Sequence, residues 1–132
     1  MRLLELNALG EFTLTADLNN NIPPYAILSH TWAEDNEEEV TFEDLMNRHA
    51  KWKPGYHKIK FCAKETTRDR LKHFWIDTCC IKKSDSSELT KAINSMFRWY
   101  QNATKCYVYL SDVSTSGHST TCLLYTSDAA DE

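Results

Sequence analysis

Glycine and proline are scarce, at three residues each in a chain of 132. That excludes collagen-like and low-complexity classes. Three glycines cannot furnish a glycine-rich phosphate loop. The longest apolar runs reach about five residues, far short of a membrane-spanning helix. No paired CxxC motif and no His pair completes a zinc site, so no metal is expected. A secretory leader is also missing, because Met1-Arg2-Leu3-Leu4-Glu5 meets an acid too early. The five cysteines are odd in number; with no leader, they argue for reduced thiols and a cytoplasmic location.

What is present points to one folded domain. Hydrophobic residues make up 42% and aromatics 11%, enough apolar area to offset the entropy of ordering the chain. Net charge is −4, which weighs against nucleic-acid binding. The distribution is uneven. Glu34 to Asp44 holds seven acids and no base, whereas Arg48 to Lys72 holds nine bases against Glu65 and Asp69. This split reads either as two solvated faces or as a self-complementary surface for protein partners and self-association.

Residues 2–6 and 11–14 predict a small β-hairpin. Tyr25-Ala26-Ile27-Leu28 is a continuous apolar run, the mark of a strand buried on both faces. Thr41 with Asp44 predicts a capped short helix over 42–49. An amphipathic helix follows over 56–72, with Lys58, Lys60, Lys64 and Arg68 around its apolar face. Phe74-Trp75-Ile76 is a second buried strand, 86–102 a helix on the Leu89, Ile93, Met96, Tyr100 spacing, and 106–110 a third strand. Strands alternating with helices imply α/β architecture, with a short, mostly parallel sheet flanked by helices. Ligands in such sheets sit beyond the carboxyl ends of the strands. Here those ends carry Ser29-His30-Thr31-Trp32, Asp77-Thr78-Cys79-Cys80 and Ser111-Asp112.

Several strings together resemble the fungal heterokaryon incompatibility (HET) domain. They are Ile22-Pro23-Pro24-Tyr25-Ala26-Ile27-Leu28-Ser29-His30-Thr31-Trp32, Glu39-Val40-Thr41-Phe42, Gly55-Tyr56-His57-Lys58-Ile59, Trp75-Ile76-Asp77-Thr78-Cys79-Cys80-Ile81, the run from Glu88 to Tyr100, and Cys106-Tyr107-Val108-Tyr109-Leu110-Ser111-Asp112-Val113. The sequence departs from the family pattern at Ala33 and Lys82. A glycine frequent before the second strand is missing from Arg70-Leu71-Lys72-His73, and an Arg-Gly-Trp segment after Val113 is absent. The expectation is a partial HET domain over 1–113, incomplete at its C-terminus, with 114–132 a non-native, adapter-like tail.

The resemblance implies an effector of fungal non-self recognition and programmed cell death. It also implies likeness to TIR domains, flavodoxin-like modules that self-associate and in some members cleave NAD. On that likeness Glu88 stands where the TIR catalytic glutamate does, NAD is the implied substrate, and no resident cofactor is expected. Ser29, His30, Thr31, Trp32, Asp77 and Asp112 are the ligand-binding candidates. Each has a plainer reading. Glu88 follows Asp85 at the third helical position, as a capping residue would. His30 needs a positioned partner to act as a base, and Asp77 can cap a turn. Cys79 and Cys80 suit buried packing.

Overall fold

The apolar run from Tyr25 to Leu28 has to be covered on both faces, and the fold places it inside a sheet. The computed structural model of the chain describes residues 1–31 and 36–110. Five strands, β1 (Leu4–Leu6), β2 (Phe12–Leu14), β3 (Tyr25–His30), β4 (His73–Trp75) and β5 (Lys105–Tyr109), lie in the order β2-β1-β4-β3-β5. β3 pairs in parallel with both β4 and β5. The predicted hairpin is present, and β1 joins β4 antiparallel. The sheet is therefore mixed. Its three apolar strands are parallel as expected, and the hairpin extends it with two antiparallel pairings, seated by Leu4 opposite Phe74. The hairpin turn closes on Gly10 at φ 80, a conformation only glycine adopts without strain. Asn7 Oδ1 accepts from the N–H groups of Leu9 and Glu11 across that turn.

The described residues also form three helices: α1 (Phe42–Met46), α2 (Tyr56–Arg68) and α3 (Ser86–Asn102). Short 3₁₀ turns at Asn36–Glu38 and Ala50–Trp52 flank α1. The capping box forms as the sequence predicts. Thr41 Oγ1 accepts from Asp44 N at 3.1 Å and Asp44 Oδ2 accepts from Thr41 N at 2.9 Å. α1 ends at Met46 rather than residue 49, because Arg48 turns left-handed at φ 61. α2 ends at Arg68 rather than residue 72. Arg70 takes φ 63, and the N–H groups of Arg70 and Leu71 return to the carbonyls of Thr67 and Thr66. That is a Schellman stop, with arginine where glycine is favoured. α3 spans its predicted range, and Asp85 Oδ1 caps it through Ser87 N and Glu88 N.

Adjacent strand residues point to opposite faces. Phe74 packs edge-on to Phe12, which meets Tyr56 of α2, while Trp75 packs edge-on to Trp99 of α3. The two long helices thus cover opposite faces. α2 carries the chain from β3 to its neighbour β4, and α3 carries it back past β3 to β5. The connections leaving β3 and β4 run to opposite faces of the sheet, so the carboxyl ends of these neighbouring strands share an open rim.

Candidate functional site

His30 is the last residue of β3, and Asp77 lies two residues beyond β4. Because the strands are parallel neighbours, both side chains reach the same rim, and His30 Nε2 stands 2.8 Å from Asp77 Oδ1. On the other side of the imidazole, Lys58 Nζ lies 3.0 Å from His30 Nδ1. The same ammonium donates to Glu39 Oε2 and to the Thr31 carbonyl, each at 2.7 Å. Three donated protons meet three acceptors. An ammonium can only donate, so towards Lys58 the Nδ1 atom can only accept, while Nε2 faces the Asp77 carboxylate. These side chains are largely withdrawn from water, His30 being 1% exposed and Glu39 5%. Charged groups so buried persist only when paired and hydrogen-bonded.

Local sequence explains how the cluster is held. Lys58 stands four residues before Cys62 and eight before Thr66, on the buried side of α2. Glu39 is fixed by close backbone approach: Gly55 N donates to Glu38 O at 2.7 Å. A Cβ on Gly55 would stand 2.6 Å from that oxygen and 3.0 Å from Glu39 Cα. Lys53 Nζ braces the same stretch through Asp44 Oδ2 at 2.6 Å and Glu39 O at 3.3 Å. Burial alone would raise the Asp44 carboxyl, but the bonds from Lys53 and Thr41 outweigh it and hold it below its usual value.

Beside the cluster lies a cavity of about 310 Å³, lined by Glu39, Thr41, Phe42, Glu43, Thr78, Ile81 and Lys83. Glu39 and Thr78, the residue after Asp77, join it to the rim. Its walls present two carboxylates, two hydroxyls, a cation and an aromatic face.

The sequence-derived candidates separate here. His30 and Asp77 come together. Thr31 contributes its carbonyl, while its side chain is exposed. Ser29 is half-buried in β3 opposite Val108. Trp32 and Asp112 lie outside the described residues. Glu88 serves a different junction: Arg2 Nε donates to its Oε1 at 2.7 Å and Lys82 N to its Oε2 at 2.8 Å. Its carboxylate ties the residues leading into β1 to the loop before α3, and it is Asp85 that caps the helix. Cys62, Cys79 and Cys80 are buried thiols; Cys80 Sγ accepts from Ile76 N at 3.3 Å. Burial pushes the Cys79 thiol well above its ordinary value, so it is held as the unreactive thiol. Glu39 and Lys58 were not among the candidates. The i, i+4, i+8 line of Lys58, Cys62 and Thr66 was the available signal for the lysine. Nothing local marks Glu39 among its acidic neighbours.

Among the described residues no helix is long and apolar enough to cross a membrane. No solved structure matches the chain. The Vegetative incompatibility protein HET-E-1 of Podospora anserina is 62% identical over 116 residues, which cover 87% of this chain and 8% of that protein. The chain therefore spans a small part of its relative's length. The family model described as Heterokaryon incompatibility protein (HET) matches residues 25–131, a stretch that begins at the first residue of β3 and takes in His30, Glu39, Lys58 and Asp77. By that match and that identity, the chain belongs to the heterokaryon incompatibility (HET) family.

Proposed function

We propose that this chain is an effector module of fungal vegetative incompatibility that triggers programmed cell death through regulated self-association. The family and the named relative supply the biological setting. The observation that carries the binding-module reading is the state of the strand-end cluster. Lys58 spends all three protons on acceptors within the chain, and His30 is held between Lys58 and Asp77. Such a network holds a rim rigid and leaves neither group poised to take a proton from a substrate. The reading expects the 132-residue chain to assemble as its concentration rises and to kill fungal cells that express it. A chain that kills while remaining monomeric overturns the association step.

A second reading, cleavage of NAD at its nicotinamide bond, draws on the cavity beside the strand-end cluster. It gains nothing from Glu88, both of whose carboxylate oxygens already accept bonds from Arg2 and Lys82. Incubation with NAD separates the two readings. No release of nicotinamide is expected for the binding module. Release that Glu88→Gln abolishes would instead establish the enzyme.

A further inference from the structure

Nine bases between Arg48 and Lys72 meet different fates in the fold. Lys53, Lys58 and Arg68 are taken by Asp44, Glu39 and Glu65. Arg48, Lys51, Lys60, Lys64, Arg70 and Lys72 are exposed and form no ion pair among the described residues. Lys60 and Lys64 sit one turn apart on the solvent side of α2, following His57 on the same line. Arg48 and Lys51 lead into that helix, and Arg70 and Lys72 follow it. The outer layer over one face of the sheet is a basic ridge on a chain whose net charge is −4.

The acids are concentrated elsewhere. Between Glu38 and Asp44, Glu39 and Asp44 turn inward to Lys58 and Lys53, while Glu38 and Glu43 remain exposed. This acidic lobe lies beyond the N-terminal end of α2, where Gly55 N meets Glu38 O. Lobe and ridge therefore stand end to end. Trp52, 84% exposed between Lys51 and Lys53, marks their junction. An exposed tryptophan is the residue type that most often anchors a protein interface.

We propose that the basic ridge of α2 is a docking surface for the acidic lobe of a second copy of this chain. Ridge against ridge would be repelled, so complementarity selects the pairing of unlike patches. Such contacts are heterologous: each docked pair leaves one lobe and one ridge unfilled, so copies can be added. The inference rests on the self-association reading and names the surface that performs it.

Sedimentation velocity on the full 132-residue chain tests this. Raising NaCl from about 50 mM to about 500 mM should weaken assembly at least about tenfold, because exposed charges are screened. Lys60→Glu with Lys64→Glu should be monomeric, and so should Glu38→Lys with Glu43→Lys. Mixing the two variants should restore assembly, since each reversed patch then meets its complement. Thermal melts that match the wild type would show that both variants fold. Wild-type-like assembly by the reversed variants, or assembly insensitive to salt, overturns the docking surface and leaves self-association standing. A wild-type chain that is monomeric at every concentration overturns both. If that monomer sediments with vesicles of anionic phospholipid and the Lys60→Glu, Lys64→Glu variant does not, the ridge serves a membrane and the proposal fails.

Discussion

On the face covered by α3, Trp75 meets Trp99 and Tyr100 edge-on, with ring centroids 5.5 Å and 6.3 Å away. On the face covered by α2, Lys58 reaches into the strand ends, and the Tyr107 hydroxyl donates to Asp69 Oδ2 at 2.6 Å. The α3 face is held by area and shape. Its tyrosines find backbone partners, Tyr25 on Trp99 O and Tyr100 on Leu28 O, and burial pushes the Tyr25 hydroxyl up to about 12. One indole N–H, that of Trp75, is buried without a partner among the described residues, a cost of about 1–3 kcal/mol. The α2 face is held by matching donors to acceptors. Apolar packing absorbs an imperfect group, whereas a buried ionic network fails as a unit when one member is lost.

Removing a central group from each face gives the largest effects and breaks the comparison open. Trp75→Ala should cost about 3–5 kcal/mol, read by urea denaturation. Lys58→Met should cost a similar amount, about 3–5 kcal/mol, because the buried Glu39 would lose its ammonium partner. The difference lies in rescue. Adding Glu39→Gln to Lys58→Met should recover most of the loss, and a double-mutant cycle measures that coupling. No second apolar truncation should recover Trp75→Ala. Gly55→Ala comes next, at about 1–3 kcal/mol, since its Cβ would press on backbone that carries Glu39. Its effect should shrink in the Lys58→Met, Glu39→Gln background.

A smaller effect is expected in acid. Asp69, which accepts from Tyr107, and Asp44, which accepts from Lys53, both have carboxyls held below their ordinary value. Their folded values lie below their unfolded ones, so the stability they confer is present above about pH 4 and is lost as pH falls further. Melting temperature should decline below that point, and Asp44→Asn should decline less steeply than wild type. The smallest effect is a gain. Arg70→Gly should stabilise by about 0.5–1 kcal/mol, because the left-handed α2 stop at φ 63 strains any side chain with a Cβ.

The face built on area was legible in advance. Tyr25 to Leu28, the 86–102 helix and the third strand could be read because burial leaves a periodic mark along the chain. The missing glycine near Arg70 was legible too, and the strained φ at that residue is its structural counterpart. The ionic face was not. Lys58 looked like part of a solvated helix side, and Glu39 was one of seven acids in a row of eleven residues. A pairing between residues 19 apart leaves no local period to read. Glu88 was equally opaque, since its partner Arg2 is 86 residues away.

Composition and periodicity by themselves determined the layers: which segments become strands, which become helices, and that three apolar strands need cover on both sides. Those are local consequences of where apolar side chains recur. Tertiary structure alone decided which charges are spent inside and which remain on the surface, because that depends on the distances between segments far apart in the chain. It paired His30 with Asp77 at the strand ends, withdrew Lys58 and Glu39 from water, and left Lys60 and Lys64 facing solvent.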